Sequence, residues 1–178
     1  MPDSYNGNIF FVGMPGCGKS TLGKRISKTI KWPFIDLDVY IEEKYNRQIP
    51  LIFEEKGEKY FREIESQALV NVTNQFKNTV IALGGGSICS ENNYKLVQKN
   101  GICVYLKMSP EALHSRLIQK PNKRPMFKGL DENQKLEKLK TLLAQREIFY
   151  SKANLIVDAM NIDTESLATK IKTLINIH

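Results

Sequence analysis

Residues 13–20 read Gly-Met-Pro-Gly-Cys-Gly-Lys-Ser, which fits the pattern G-x-x-x-x-G-K-[ST]. Glycines at this spacing let consecutive backbone N–H groups converge on phosphate oxygens, and a helix that follows adds its positive N-terminal end. Lys19 is then set to reach the β and γ phosphates, and the Ser20 hydroxyl to ligate Mg²⁺. A glycine-rich turn with an exposed lysine would give the same letters. Here an apolar run, Ile9 to Val12, precedes the motif and a helical stretch follows it, which is the context a phosphate cradle requires. The stretch predicts a nucleoside triphosphate site but not the reaction, because many chemistries use this cradle.

The phosphate acceptor must be argued from other residues. Enzymes of this kind often carry a metal-binding Asp at the end of an apolar strand, yet Val80-Ile81-Ala82-Leu83 ends in Gly84-Gly85-Gly86 with no carboxylate. Asp36 is therefore the candidate metal partner. Asp36-Leu37-Asp38 closes another apolar run, and a spacing of two turns both carboxylates to one side if the extended geometry persists. One can hold the water shell of Mg²⁺ while the other, Asp38, accepts a proton from an attacking hydroxyl. Asp38 also suits the N-cap of a helix starting at Val39. Arg62 shares a helix side with Glu65 and Leu69, so a carboxylate can pin its planar fork toward a ligand acid, although i, i+3 pairs are common on surfaces. Leu136, Leu139, Leu143, Arg146 and Tyr150 step by three or four residues and form one stripe. A guanidinium on that inward stripe must find an anion, whether a ligand or an internal salt-bridge partner. The three glycines leave room for a ligand close to the backbone, or make a tight turn. Arg124-Pro125 lies in an irregular basic stretch and can bring positive charge to a transferring phosphoryl; such a loop can also be merely solvated.

These residues need a frame, and hydrophobic periodicity supplies it. Short apolar runs at Ile9 to Val12, Phe34 to Leu37, Thr79 to Leu83, Ile102 to Leu106 and Leu155 to Val157 predict five strands of a parallel sheet covered on both faces. Amphipathic stretches predict helices near Lys19 to Ile30, Val39 to Tyr45, Gly57 to Gln75, Asn93 to Lys99, Pro110 to Ile118, Asp131 to Tyr150 and Thr164 to Ile175. The alternation is that of a three-layer α/β sandwich. Gln119 to Gly129, QKPNKRPMFKG, breaks the rhythm with two prolines and four basic residues; a loop of that length in a compact domain is commonly functional.

The chain has 178 residues, enough for one domain with a core of its own and no need of staples. Three cysteines without a CxxC pair argue against a disulfide framework and a zinc site. With no apolar run near a membrane span and a polar start, the expectation is a cytoplasmic protein. Lys plus Arg is 26 against 19 Asp plus Glu, a net charge of +7 that suits anionic partners. The basic residues are spread among acids rather than concentrated, which disfavours nucleic acid.

In combination these motifs resemble the shikimate kinase family, from about Asn8 to Asn154. The resemblance rests on GMPGCGKST, the Asp36-Leu37-Asp38 pair, and Ile49-Pro50-Leu51-Ile52-Phe53 leading into Gly57-Glu58 and Phe61-Arg62-Glu63-Ile64-Glu65. It rests also on the GGGS stretch, Lys123-Arg124-Pro125-Met126-Phe127, and Leu142 to Tyr150. It implies transfer of the ATP γ-phosphoryl to the 3-hydroxyl of shikimate, giving 3-phosphoshikimate and ADP on the route to aromatic amino acids. It implies the fold of nucleoside monophosphate kinases with sheet order 2-3-1-4-5, a substrate-binding region at about 38–65 and a lid at about 119–130. By motif, ATP would lie on Gly13, Gly16, Cys17, Gly18, Lys19, Ser20 and Thr21, with Arg116 stacked on adenine and Arg124 closing with the lid. Ser20 and Asp36 would hold Mg²⁺. Asp38 would bind the shikimate hydroxyl and act as base, Arg62 and Arg146 would hold the substrate carboxylate, and Gly85, between Gly84 and Gly86, would approach the ring hydroxyls. A monomer with small-molecule partners, and neither nucleic acid nor membrane, is the expectation. One departure stands out: after Tyr150 the family usually reads through to Ala-Asp, whereas Ser151-Lys152-Ala153-Asn154 is one residue short and ends in Asn. The alternatives are a kinase for another small hydroxy acid such as gluconate, and a non-catalytic nucleotide-binding module.

Overall fold

The strands form where the apolar runs lie, and their order decides which loops meet. The computed structural model describes residues 6–118, 127 and 129–177. In chain order its elements are β1 (Asn8–Val12), α1 (Lys19–Ile30), β2 (Phe34–Asp36), α2 (Leu37–Tyr45), α3 (Ile49–Gln75), β3 (Val80–Ala82), α4 (Glu91–Asn100), β4 (Gly101–Lys107), α5 (Pro110–Ile118), α6 (Glu132–Tyr150), β5 (Leu155–Asp158) and α7 (Thr164–Ile177). All strands pair in parallel in the order β2-β3-β1-β4-β5. The architecture is the three-layer sandwich expected. Ala82 is in register with both Phe11 of β1 and Asp36 of β2, so the segments that leave β1, β2 and β3 emerge side by side at the carboxyl edge of the sheet. Ligands of open parallel sheets bind at that edge.

β1 and β3 are buried throughout, as both-face coverage predicts. β2 and β5 differ from that expectation: every residue of β2 is only half-buried, and Ile156 of β5 is exposed. Both sit at sheet edges, and an edge strand has neighbours on one side only. Below the sheet's edge the core is anchored by large side chains with almost no exposure, among them Phe10, Phe11, Tyr105 and Tyr150.

Helix α1 keeps its read boundaries because Leu22, Ile26 and Ile30 bury one stripe and Lys31 closes it in the left-handed conformation. Four other starts differ from the sequence reading, that of α6 by a single residue. α2 begins at Leu37, not Val39, because Asp36 takes the N-cap and its carboxylate accepts from the Asp38 N–H at 3.1 Å. α3 begins at Ile49, not Gly57: Pro50 occupies the first turn, where a missing N–H costs nothing, and Glu42 accepts from the Ile49 N–H at 2.8 Å. Gly57 is a kink inside this helix, at φ 81° and ψ 172°, a region essentially reserved for glycine. α4 starts at Glu91 behind a Ser90 cap, two residues before Asn93. Asp131 is the N-cap of α6 in a reciprocal capping box with Gln134. Among the described residues no helix is long and apolar enough to cross a membrane.

Candidate active site

At the carboxyl edge lies a cleft of about 970 Å³. The cradle between β1 and α1 forms one wall. Gly13, Gly16 and Gly18 all have positive φ, and a Cβ on Gly13 would stand 2.7 Å from the Leu106 carbonyl oxygen, so glycine is required where the turn passes β4. Gly18 caps α1 without any side-chain acceptor, which leaves the first N–H groups of the helix for a ligand. Lys19 folds back over the turn, its Nζ donating to the Gly13 and Met14 carbonyls at 2.9 and 3.1 Å.

Ser20 and Asp36 are brought together from different elements: the Ser20 hydroxyl donates to Asp36 Oδ2 at 2.5 Å. Asp38 also lines the cleft, but not by strand alternation, since the chain is helical from Leu37. It is α2 that presents Asp38, with Oδ1 3.0 Å from where a Gly84 Cβ would be. The capping carboxylate is Asp36, so the capping role considered for Asp38 belongs two residues earlier.

Arg62, on α3, is held from two sides. Its Nη1 donates to Glu65 at 2.7 Å and its Nη2 to Glu58 at 3.1 Å, and Glu65, almost wholly buried, accepts in turn from the Ser87 hydroxyl at 2.6 Å. Partial burial works against the charge of Arg62, but the Glu65 carboxylate, helped by Glu58, outweighs it and the guanidinium binds its proton more tightly than usual. The three glycines turn out to be crowded rather than open. A Cβ on Gly84 would meet Glu65 at 2.5 Å, one on Gly85 would meet the Pro15 ring at 2.6 Å, and one on Gly86 would meet Arg62 Nη1 at 2.7 Å. The space beside them is filled by the protein's own side chains, and all three still line the cleft.

Arg146 faces inward as its stripe requires and lines the same cleft as Arg62. The internal salt bridge considered for it does not form: among the described residues no carboxylate lies within ion-pair distance. Its neighbours are the Met14 sulfur, 3.9 Å from Nη1, and the Tyr150 hydroxyl. Cys89 lies within the field of both arginines; burial pushes its thiol up to about 11 while Arg146 and Arg62 pull against that shift. Arg116, on α5, lies against the glycine turn, donating to the Cys17 carbonyl at 3.3 Å and touching the Met160 sulfur at 3.7 Å. Arg124 and most of the lid segment lie outside the described residues.

Several residues that the sequence reading quoted only within motifs, without an individual site role, contribute here. Ile49, Pro50 and Phe53 wall the cleft from the first half of α3, and Phe53 packs on Phe61 with ring centroids 4.6 Å apart. The signal available was Pro50 at a helix start. Asn154, where the family usually has Asp, accepts from the Cys103 N–H at 2.8 Å and so tethers the approach to β5 onto β4.

A triphosphate cradle, a hydroxyl–carboxylate pair, a second carboxylate and two arginines thus share one cleft. The family model described as shikimate kinase matches residues 15–176. The chain belongs to the shikimate kinase family. It is 39% identical over 158 residues to a shikimate kinase of Flavobacterium johnsoniae, covering 87% of this chain and 92% of that protein. Among solved structures, shikimate kinase from Bacteroides thetaiotaomicron is similar at 34% identity with a TM-score of 0.86, over 96% of this chain and 99% of that one. Shikimate kinase from Acinetobacter baumannii in complex with shikimate is similar at 35% identity and a TM-score of 0.84, over 95% and 92% of the respective chains. Membership makes the chain a kinase with ATP as co-substrate.

Proposed function

We propose that the chain transfers the γ-phosphoryl of ATP to the 3-hydroxyl of shikimate, releasing 3-phosphoshikimate and ADP. The observation that carries this reading is the convergence of Asp38, Arg62 and Arg146 with the phosphate cradle on one cleft. Phosphoryl transfer passes through a loose transition state, so the protein's task is positioning and charge stabilisation. The glycine turn and the uncapped start of α1 bind the phosphates, and Lys19 exchanges its carbonyl partners for β and γ oxygens. Arg62 and Arg146 clamp the carboxylate of the acid. That fixes the ring so that its 3-hydroxyl faces the γ-phosphorus beside Asp38. The hydroxyl oxygen forms the new P–O bond, its proton passes to Asp38, and the bond to the β-phosphate oxygen breaks. Gly85 borders the ring, Arg116 stacks on adenine, and Arg124 brings charge to the phosphates with the lid.

Ser20 and Asp36 fit Mg²⁺: a hydroxyl and a carboxylate already in contact beside the phosphate turn are hard oxygen donors, and this ion commonly takes one or two protein ligands plus phosphates and water. When bound it neutralises β- and γ-phosphate charge. The reading also includes one domain over residues 1–178, with a substrate-binding region at about 38–65 and a lid at about 119–130. It takes the protein as a cytoplasmic monomer engaging neither nucleic acid nor membrane.

The test is a coupled ADP-release assay with ATP and Mg²⁺, in the presence and absence of shikimate, run beside a panel of hydroxy acids including gluconate. ADP release that depends on shikimate is expected. Preference for an acyclic acid would overturn the assignment, and no transfer to any acid would favour a non-catalytic module.

A further inference from the structure

The last residue of α6, Tyr150, is fully buried and does not line the cleft, yet it touches the parts that do. Its hydroxyl donates to the Gly85 carbonyl. The same oxygen lies 3.9 Å from the Met14 sulfur of the phosphate turn, and that sulfur lies 3.9 Å from Arg146 Nη1. The Met14 sulfur is thus a neighbour that the guanidinium and this hydroxyl share. Burial, followed by the field of Cys89, holds the phenol well above its ordinary range against the pull of Arg146, so the group stays a neutral donor. The ring cannot wander, because it stacks on the Tyr105 ring with centroids 4.9 Å apart.

We infer that Tyr150 is a positioning residue for the acid half of the cleft, setting Gly85 and Arg146 relative to one another. The inference rests on the proposed shikimate site. A carbonyl and the next N–H point to opposite sides of a planar trans peptide. Holding the Gly85 oxygen on Tyr150 therefore turns the Gly86 N–H away from it. The same hydroxyl meets Arg146 through the Met14 sulfur that both contact, so one oxygen registers the backbone that borders the ring against the cation that meets its carboxylate. The hydrogen bonds of Glu65 instead serve Arg62: it accepts from the Arg62 guanidinium and from the Ser87 hydroxyl.

Tyr150→Phe keeps the stacked ring and removes only the hydroxyl. Tyr105→Phe is the control: it removes a buried hydroxyl from the same stack, one bonded to Glu147 and not to the cleft. Steady-state kinetics and melting points of both variants and the wild type are compared. Loss of one buried hydrogen bond at the binding wall raises the shikimate KM of Tyr150→Phe about tenfold. Its ATP KM stays within about twofold, and Tyr105→Phe lowers the melting point by a similar amount while leaving both KM values within about twofold. A Tyr150→Phe enzyme with unchanged shikimate KM, or a rise matched by Tyr105→Phe, overturns the inference. A wild-type protein that leaves shikimate unphosphorylated removes the proposed function and the inference together, whereas an active wild type with either of those outcomes removes the inference alone.

Discussion

Gly86→Ala isolates substrate clamping from folding. Gly86 has no positive φ, so its backbone accepts alanine, and the consequence is confined to space. The new Cβ would stand 2.7 Å from Arg62 Nη1 and 2.9 Å from Cζ, against ordinary contact from 3.4 Å. The guanidinium must move by about 0.7 Å, and it cannot do so freely while Glu65 and Glu58 hold its two ends. A displaced fork loses one good hydrogen bond to a carboxylate, about 1.5–3 kcal/mol, which is roughly 10- to 150-fold in binding. The shikimate KM is expected to rise by that factor in the coupled ADP-release assay. The ATP KM should stay within about twofold, because the Cβ meets Arg62 and not the phosphate turn. A shikimate KM close to wild type would refute the crowding argument, and an equal rise for ATP would refute the assignment of Arg62 to the acid.

Asp38→Asn should lower kcat by at least about 10²-fold with ATP still bound, since a positioned base contributes 10²–10⁴; near-normal turnover would remove Asp38 as the base. Arg146→Ala should raise the shikimate KM about 10- to 100-fold and the ATP KM far less, and equal weakening of both would argue against carboxylate recognition. Gly57→Ala forces a side chain into the φ 81°, ψ 172° kink of α3, a strain of about 1–3 kcal/mol that should lower the melting point by several degrees. An unchanged melting point in calorimetry would show that the kink relaxes into continuous helix without loss.

Much of the site was legible because its demands fall on neighbours in sequence. The phosphate turn needs glycines, a lysine and a hydroxyl within eight positions, and α1 follows with the boundaries its apolar stripe predicts. Arg146 was legible as an inward cation for the same reason: Leu139 and Tyr150 share its stripe and are buried with it. What stayed hidden depended on partners far along the chain. Either Asp36 or Asp38 could cap a helix on local grounds; the choice fell to Asp36, whose carboxylate is also held by Ser20 from α1. Gly57 reads as the start of a helix, and only the continuation on both sides shows it to be a kink. The half-burial of β2 and the exposed Ile156 of β5 follow from their places at the sheet edges, which an apolar run alone does not encode, although the family resemblance implied the order.

The triglycine run shows how these two kinds of information combine. Read alone, three glycines after a strand mark space for a ligand, and the cleft does pass beside them. Each glycine is nevertheless demanded by a different protein group: Glu65 at Gly84, Pro15 at Gly85 and Arg62 at Gly86. The turn is therefore where the β1–α1 wall and the α3 arginine meet, and the inference about Tyr150 would add the α6 arginine to them. The two arginines are prepared differently. Arg62 is held at both ends of its fork by carboxylates, so its direction is fixed before any ligand enters. Arg146 is buried against sulfur and a neutral phenol, and an uncompensated cation in such surroundings is destabilising by several kcal/mol. On the proposed function, a carboxylate entering the cleft would meet one cation already aimed and one whose burial it compensates, a division that would let two side chains both orient and hold a small acid.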